Sequence, residues 1–165
     1  MGAGRQLRML SVGDAAPDFE LRSLDGNTAT LKQVLANGPA LLAFFKASCP
    51  VCQLTFPFLE RFHEGAAPGT LHVIGISQDG TEDTRNFNRQ YGVKFPTLLD
   101  TKAAGYPASN DYGLSHVPSA FLVEPDGSIS WTMEGFRKQD LEELGSRVHV
   151  TPFKPGEKVP EWKSG

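Results

Sequence analysis

Two cysteines three positions apart, placed directly behind a buried-strand signal, constrain this chain more than any other feature. Ala40-Leu41-Leu42-Ala43-Phe44-Phe45 is an unbroken apolar run of strand length, which suits a central strand covered on both faces. Ser48-Cys49-Pro50-Val51-Cys52 follows, and Leu54, Phe58, Leu59 and Phe62 then recur at helical spacing among Glu60, Arg61 and Glu64. The C-x-x-C pair thus stands where a strand turns into a helix. Cys49 and Cys52 are the chain's only 2 cysteines. A disulfide between them closes a very small loop and constrains the unfolded chain little, so stapling is a poor reason for the pair.

The expected local geometry has chemical consequences. Cys49 falls at the N-cap, Pro50 at N1, where a missing N–H costs nothing, and Cys52 at N3. Cys49 then faces the unpaired N–H groups and the positive end of the helix dipole, which favour a thiolate. A thiolate is the nucleophilic form, so Cys49 reads as the reactive thiol. Cys52, one turn in and more buried, points back at it and can attack a mixed disulfide on Cys49. The alternative is half a metal site or a pair of buried thiols. Four-ligand zinc would need two further ligands, and the remaining candidates, His63, His72, His116 and His149, form no H-x3-5-H pair. C-x-x-C beside a βαβ pattern favours redox chemistry.

The rest of the chain reads as alternating strands and helices. Asp18 to Arg22 is an expected strand, followed by a turn at Leu24-Asp25-Gly26-Asn27. Thr30 is the expected N-cap of a short helix through Leu31, Val34 and Leu35. Leu71 to Ile76 is a second buried strand, Thr81 to Tyr91 a polar helix stopped by Gly92, and Thr97-Leu98-Leu99 a short strand. Thr101 to Gly113 reads as loop or short helical turns. Ser119 to Glu124 and Ser128 to Met133 flank Pro125-Asp126-Gly127 as a hairpin, and Gln139 to Val148 is the last helix. The order predicts a parallel-rich sheet with helices on both faces, the closing hairpin adding antiparallel strands. Pro57 falls inside the helix after Cys49 and is expected to kink it. Val117-Pro118 opens a strand, a position where proline is tolerated.

Composition narrows the class. The 165 residues suffice for one domain, and 39% hydrophobic with 21% charged residues is ordinary for a globular chain. A net charge of −3 argues against nucleic acid or an anionic membrane surface as the main partner. No apolar run approaches the ~20 residues of a membrane span. The start lacks a signal-peptide h-region, and Gln6 breaks the M-G-x-x-x-S/T pattern. The expected location is cytoplasmic, or extracytoplasmic if a leader has been removed. One domain is expected over 1–165, with a core at about 12–148, an N-terminal arm at 1–11 and a Pro-containing tail at 149–165 that hugs the surface or moves.

Several segments together resemble a known family. They are Val12-Gly13-Asp14-Ala15-Ala16-Pro17-Asp18-Phe19, Leu42-Ala43-Phe44-Phe45 with its C-x-x-C, Phe56-Pro57, Val73-Ile74-Gly75-Ile76-Ser77, Phe95-Pro96-Thr97-Leu98-Leu99-Asp100, Val117 through Gly127, and Gly135. The chain is similar to the TlpA/ResA-type thiol-disulfide oxidoreductases of the wider AhpC/TSA group, over roughly Val12 to Val148. The resemblance implies an α/β, thioredoxin-like fold with a central mixed sheet, helices on both faces and an added N-terminal β-hairpin segment. It implies that Pro118 is cis and packs against the cysteine pair, and that Val117 offers its backbone to a bound partner. Pro57 matches the family's kinking proline.

The expected site is therefore Cys49, Cys52 and Pro118, with Val117, Pro50, Val51 and His116 as partner-contacting surface. Neither metal nor cofactor is expected. The expected partners are a protein disulfide or dithiol and a second redox protein, and the expected state is a monomer. Many relatives carry Trp where Ser48 stands, thioredoxins carry a buried Asp where Ala43 stands, and some ResA-like members carry Glu within the motif. No general base for Cys52 is therefore evident. Lys46 and His116 are candidates for biasing Cys49 toward thiolate, against the plainer readings of an exposed lysine and a solvated loop histidine. Two alternatives remain. A peroxiredoxin-like peroxidase would share the fold, but P-x-x-x-S/T-x-x-C places Leu42 and Lys46 before Cys49, and Phe45 and Cys49 before Cys52. A Cu(I) carrier would use Cys49, Cys52 and His116 as soft ligands, although copper proteins of this fold use the wider C-x3-C.

Overall fold

A computed structural model describes residues 8–165; residues 1–7, most of the expected N-terminal arm, lie outside it. The N-terminal hairpin pairs β1 (Glu20–Ser23) with β2 (Thr28–Thr30) across the Asp25-Gly26 turn. Thr30 caps α1 (Leu31–Leu35) in a capping box with Gln33, as its sequence context requires. There follow β3 (Ala40–Phe45), α2 (Pro50–Gly65), β4 (His72–Ser77), α3 (Thr81–Tyr91) and β5 (Thr97–Leu99). A 3-10 turn (Lys102–Ala104) and α4 (Pro107–Asp111) lead into β6 (Ser119–Val123) and β7 (Ile129–Glu134). β8 (Phe136–Arg137), α5 (Lys138–Val148) and β9 (Trp162–Lys163) complete the chain.

The main sheet has the order β2-β1-β5-β4-β3-β6-β7. Only β3–β4 and β4–β5 are parallel; the remaining neighbours are antiparallel. The sheet is mixed and carries an N-terminal hairpin, as the family resemblance implies, and is less parallel than the element order alone predicts, because the N-terminal hairpin joins β5 antiparallel and the β6–β7 hairpin joins β3 antiparallel. Unbroken apolar runs identify buried strands and tight turns identify hairpins, but the direction in which a hairpin joins the rest of the sheet depends on crossovers that no local pattern encodes.

β3 is buried along its whole length and splits the core in two. Leu41, Ala43 and Phe45 face Phe56 and Leu59 of α2, Phe87 of α3 and Leu141 of α5. Leu42 and Phe44 face the opposite way, toward Leu31, Ala108, Tyr112 and Phe121. Each fully buried large side chain contributes about 1.5–3 kcal/mol of transfer free energy. The aromatic packing is dense on both sides: Phe45 lies 4.3 Å from Phe56, and Tyr112 5.2 Å from Phe121, between ring centroids.

Register aligns three chain segments at one end of the sheet. Phe45 pairs with Ser77, and Phe44 with Ser119. The turn after β3, the end of β4 and the entry to β6 therefore meet beside the α2 N-terminus. Glu134, opposite Ser119, brings the end of β7 to the same edge. Crevices beyond the carboxyl ends of parallel strands are where α/β sheets place their sites. Among the described residues, no helix is long and apolar enough to cross a membrane.

Candidate active site

α2 begins as the sequence predicts. Cys49 is the N-cap in extended conformation, Pro50 occupies the first helical turn, and the Cys52 amide donates to Cys49 Sγ at 3.1 Å. The sulfur does what an N-cap oxygen does elsewhere, satisfying an otherwise orphan N–H. Both cysteines are free thiols; Cys49 is half-buried and Cys52 fully buried.

This asymmetry separates their acidities. Cys49 is lowered to about 6, chiefly by a hydrogen bond from the Cys52 side chain, aided by the Cys52 and Val51 amides and by the Lys46 charge, and opposed by partial burial. Burial raises Cys52, and the hydrogen bond its thiol donates to Cys49 together with the Cys49 negative charge raises it further. A thiolate on Cys49 and a neutral thiol on Cys52 is the state at neutral pH.

The turn carrying Cys49 is held from two sides. The Ala47 amide donates to Asp79 Oδ2 at 2.6 Å, and Gln53 Nε2 donates to the Ala47 carbonyl at 3.0 Å. Asp79 also contributes to raising Cys52 through its charge. Neither Asp79 nor Gln53 stands out in sequence. Asp79 sits two residues past a parallel strand, and that position is the only signal that could have found it.

The Val117–Pro118 peptide is cis. Pro118 is buried, and its carbonyl accepts from the Gly135 amide at 2.8 Å. The Val117 carbonyl oxygen lies 3.5 Å from Cys49 Sγ and accepts from it in the thiol form. A cavity of about 440 Å³ opens here, walled by Cys49, Pro50, Lys46, Gln78, His116, Val117 and Gly165 among others. Pro50 and Ser48 are exposed beside Cys49, whereas Val51 is half-buried against the core. His116 lines the cavity, but its ring nitrogens are engaged by Ser115 at 2.9 Å and Glu134 at 3.0 Å. It is not among the groups that shift Cys49, and Lys46 is the nearby cation that is. Among the described residues, no three His, Cys, Asp or Glu side chains converge as a metal site, so His116 does not complete a ligand set with the cysteines.

Solved structures with this architecture include the thioredoxin domain of thiol-disulfide oxidoreductase BVU-2223 from Bacteroides vulgatus, with a TM-score of 0.73 at 24% identity over 84% of this chain and 99% of that one. MTB DsbF, solved in mixed oxidised and reduced forms, matches with a TM-score of 0.66 at 28% identity over 79% of this chain and 92% of its own. In sequence, the thiol-disulfide oxidoreductase ResA of Bacillus thuringiensis is 28% identical over 145 residues, covering 87% of this chain and 80% of that protein. The fold is thioredoxin-like. The AhpC/TSA family profile matches residues 12–132, from the segment before β1 into β7 and across both cysteines, and the chain belongs to the AhpC/TSA family.

Proposed function

We propose that the protein is a thiol-disulfide oxidoreductase that exchanges electrons with protein substrates through Cys49 and Cys52. The observation that carries this reading is the pairing of a half-buried N-cap thiol, lowered to about 6, with a buried neutral thiol one turn into the same helix. The similarity to ResA and DsbF supports it.

In the reducing direction, the Cys49 thiolate attacks one sulfur of a substrate disulfide and the other sulfur leaves as a thiolate. Cys52 then loses its proton and attacks Cys49 Sγ, expelling the first substrate sulfur. The substrate gains two electrons and two protons in all, one proton from Cys52 and one from water because Cys49 enters as thiolate, and the enzyme is left as the Cys49–Cys52 disulfide. A second dithiol protein restores the pair by the reverse steps, and substrate oxidation is the same sequence run backwards. Lys46 and the amides of Val51 and Cys52 hold the negative charge on Cys49, and Val117 supplies the backbone edge beside it. Disulfide substrates are commonest in oxidising compartments, which favours the extracytoplasmic alternative.

Insulin reduction tests the reading: Cys49→Ser is expected to abolish it, and retained activity would refute it. Peroxide consumption by the reduced protein is expected to stay near that of a free thiol, because neither cysteine carries the P-x-x-x-S/T-x-x-C context.

A further inference from the structure

We propose that Trp162–Gly165 is a displaceable strap across the substrate edge of the cysteine site, lying where an extended polypeptide must align with Val117. The proposal takes its notion of substrate from the thiol-disulfide reading above.

The path of the chain carries the argument. β9 pairs antiparallel with β8, Phe136 opposite Lys163 and Arg137 opposite Trp162. β8 directly follows the end of β7 at the edge that holds His116, so the ladder leads the chain toward the Val117–Pro118 turn. Two close backbone approaches fix its course. A Cβ on Gly135, which sits at φ +71°, would strike the Lys163 carbonyl and lie 3.2 Å from the Gly165 amide nitrogen. A Cβ on Gly165 would strike the Val117 carbonyl oxygen and lie 2.7 Å from His116 Cδ2. The Val117 backbone beside Cys49 is thus already covered by the protein's own backbone, which forms one wall of the cysteine cavity.

The anchoring of this segment is graded. Upstream it is firm: Phe153 packs 5.0 Å from Phe58, Arg61 makes two bonds to Glu157, and the Lys138 amide donates to the Glu161 carbonyl at 3.0 Å. Past Glu161 a two-residue ladder remains, and residues 162–165 are all exposed, Trp162 at 55%. Short, exposed ladders open at low free-energy cost. The contact at Val117 is a close approach of glycine backbone, so the segment must leave before an extended polypeptide carrying side chains can align with the Val117 backbone. A small reagent needs only the Cys49 sulfur. The strap therefore weighs against polypeptides, which must displace it, and leaves small thiol reagents unaffected.

The test compares two alkylating reagents on reduced full-length protein: iodoacetamide, and an extended peptide carrying the same iodoacetyl group. Each is attacked by the Cys49 thiolate with loss of iodide, and Cys49→Ser supplies the blank. Lys163→Pro breaks the β8–β9 ladder away from the cavity, and Gly165→Val evicts the segment from Val117. In both variants the peptide-to-iodoacetamide rate ratio is expected to rise about three- to tenfold, the reciprocal of the strap's open fraction. In Lys163→Pro the iodoacetamide rate itself stays within about twofold, because an opening step taxes only the reagent that needs it. An unchanged or lower ratio in both variants overturns the strap. Insulin reduction is run alongside: its loss in all proteins would remove the disulfide-exchange reading, while the alkylation ratio still decides the strap.

Discussion

The Val117 carbonyl oxygen lies 3.5 Å from Cys49 Sγ and can accept a hydrogen bond only while Cys49 keeps its proton. Against it stand the Cys52 and Val51 amides, the Cys52 thiol and the Lys46 charge, which favour the thiolate and win, leaving Cys49 at about 6. Cys49 is therefore expected to be alkylated at a rate that is half-maximal near pH 6, slow below and constant above. Cys52→Ala removes the largest of these influences, and the midpoint should move upward. A midpoint that stayed in place would show that the helix amides and the Lys46 charge set it without the Cys52 thiol.

The same two acidities shape the redox potential. Below pH 6, two electrons entering the disulfide bring two protons; above it they bring one, because Cys49 stays ionised and the raised Cys52 does not. Each proton changes the equilibrium constant tenfold per pH unit, about 30 mV for a two-electron couple. The potential should thus fall by about 60 mV per pH unit on the acid side and about 30 mV on the alkaline side. In stability terms, a depressed Cys49 stabilises the reduced fold fully above its ordinary range, and that contribution is lost as pH falls through 6. Equilibrium with glutathione across pH reads the break directly.

Asp79 holds the Ala47 amide and places a negative charge where it disfavours the Cys52 thiolate. Asp79→Asn keeps an acceptor for that amide and removes the charge. Cys52 should then ionise more readily and release an aromatic thiol from a mixed disulfide on Cys49 severalfold faster at a given pH. Stopped-flow absorbance of the released thiol measures this; equal rates in the two proteins would mean that the charge does not reach Cys52.

The sequence was legible where a signal is local. The apolar β3 run, the Thr30 N-cap of α1, the Cys49-Pro50 start of α2 and the Gly92 stop of α3 each depend on residues within a turn of one another, and each element formed where expected. The antiparallel joins of β1 to β5 and of β6 to β3, and the course of the tail, do not follow from local signals, because each rests on distant pairings. Arg61 meets Glu157 across 96 residues, and β9 joins β8 through two exposed residues with no alternating pattern. Pro152, Pro155 and Pro160 leave open whether the tail hugs the surface or moves, and Phe153 packing against Phe58 and Phe136 places that part of it on the surface. Asp79 escaped notice for a related reason: its partners, Ala47 and Cys52, come from a neighbouring strand's exit.

Asp100 links the core to the site at a distance. It is fully buried at the end of β5, where its carboxyl accepts from the Ala108 amide at 2.9 Å and from the Ser109 amide and hydroxyl at 2.7 and 2.6 Å. These bonds hold the first turn of α4, which has no side-chain cap of its own, and α4 leads through Tyr112 to the loop carrying His116 and Val117. Asp100→Ala leaves the two amides buried and unpaired, at a cost of about 1–3 kcal/mol each. The expected result is a loss of about 3 kcal/mol in urea unfolding, with a fall in insulin reduction larger than any change in iodoacetamide alkylation of Cys49. That split follows because the substrate edge at Val117 loosens while the α2 N-terminus stays intact. A stability loss with both reactions unchanged would show that α4 does not position the Val117 loop.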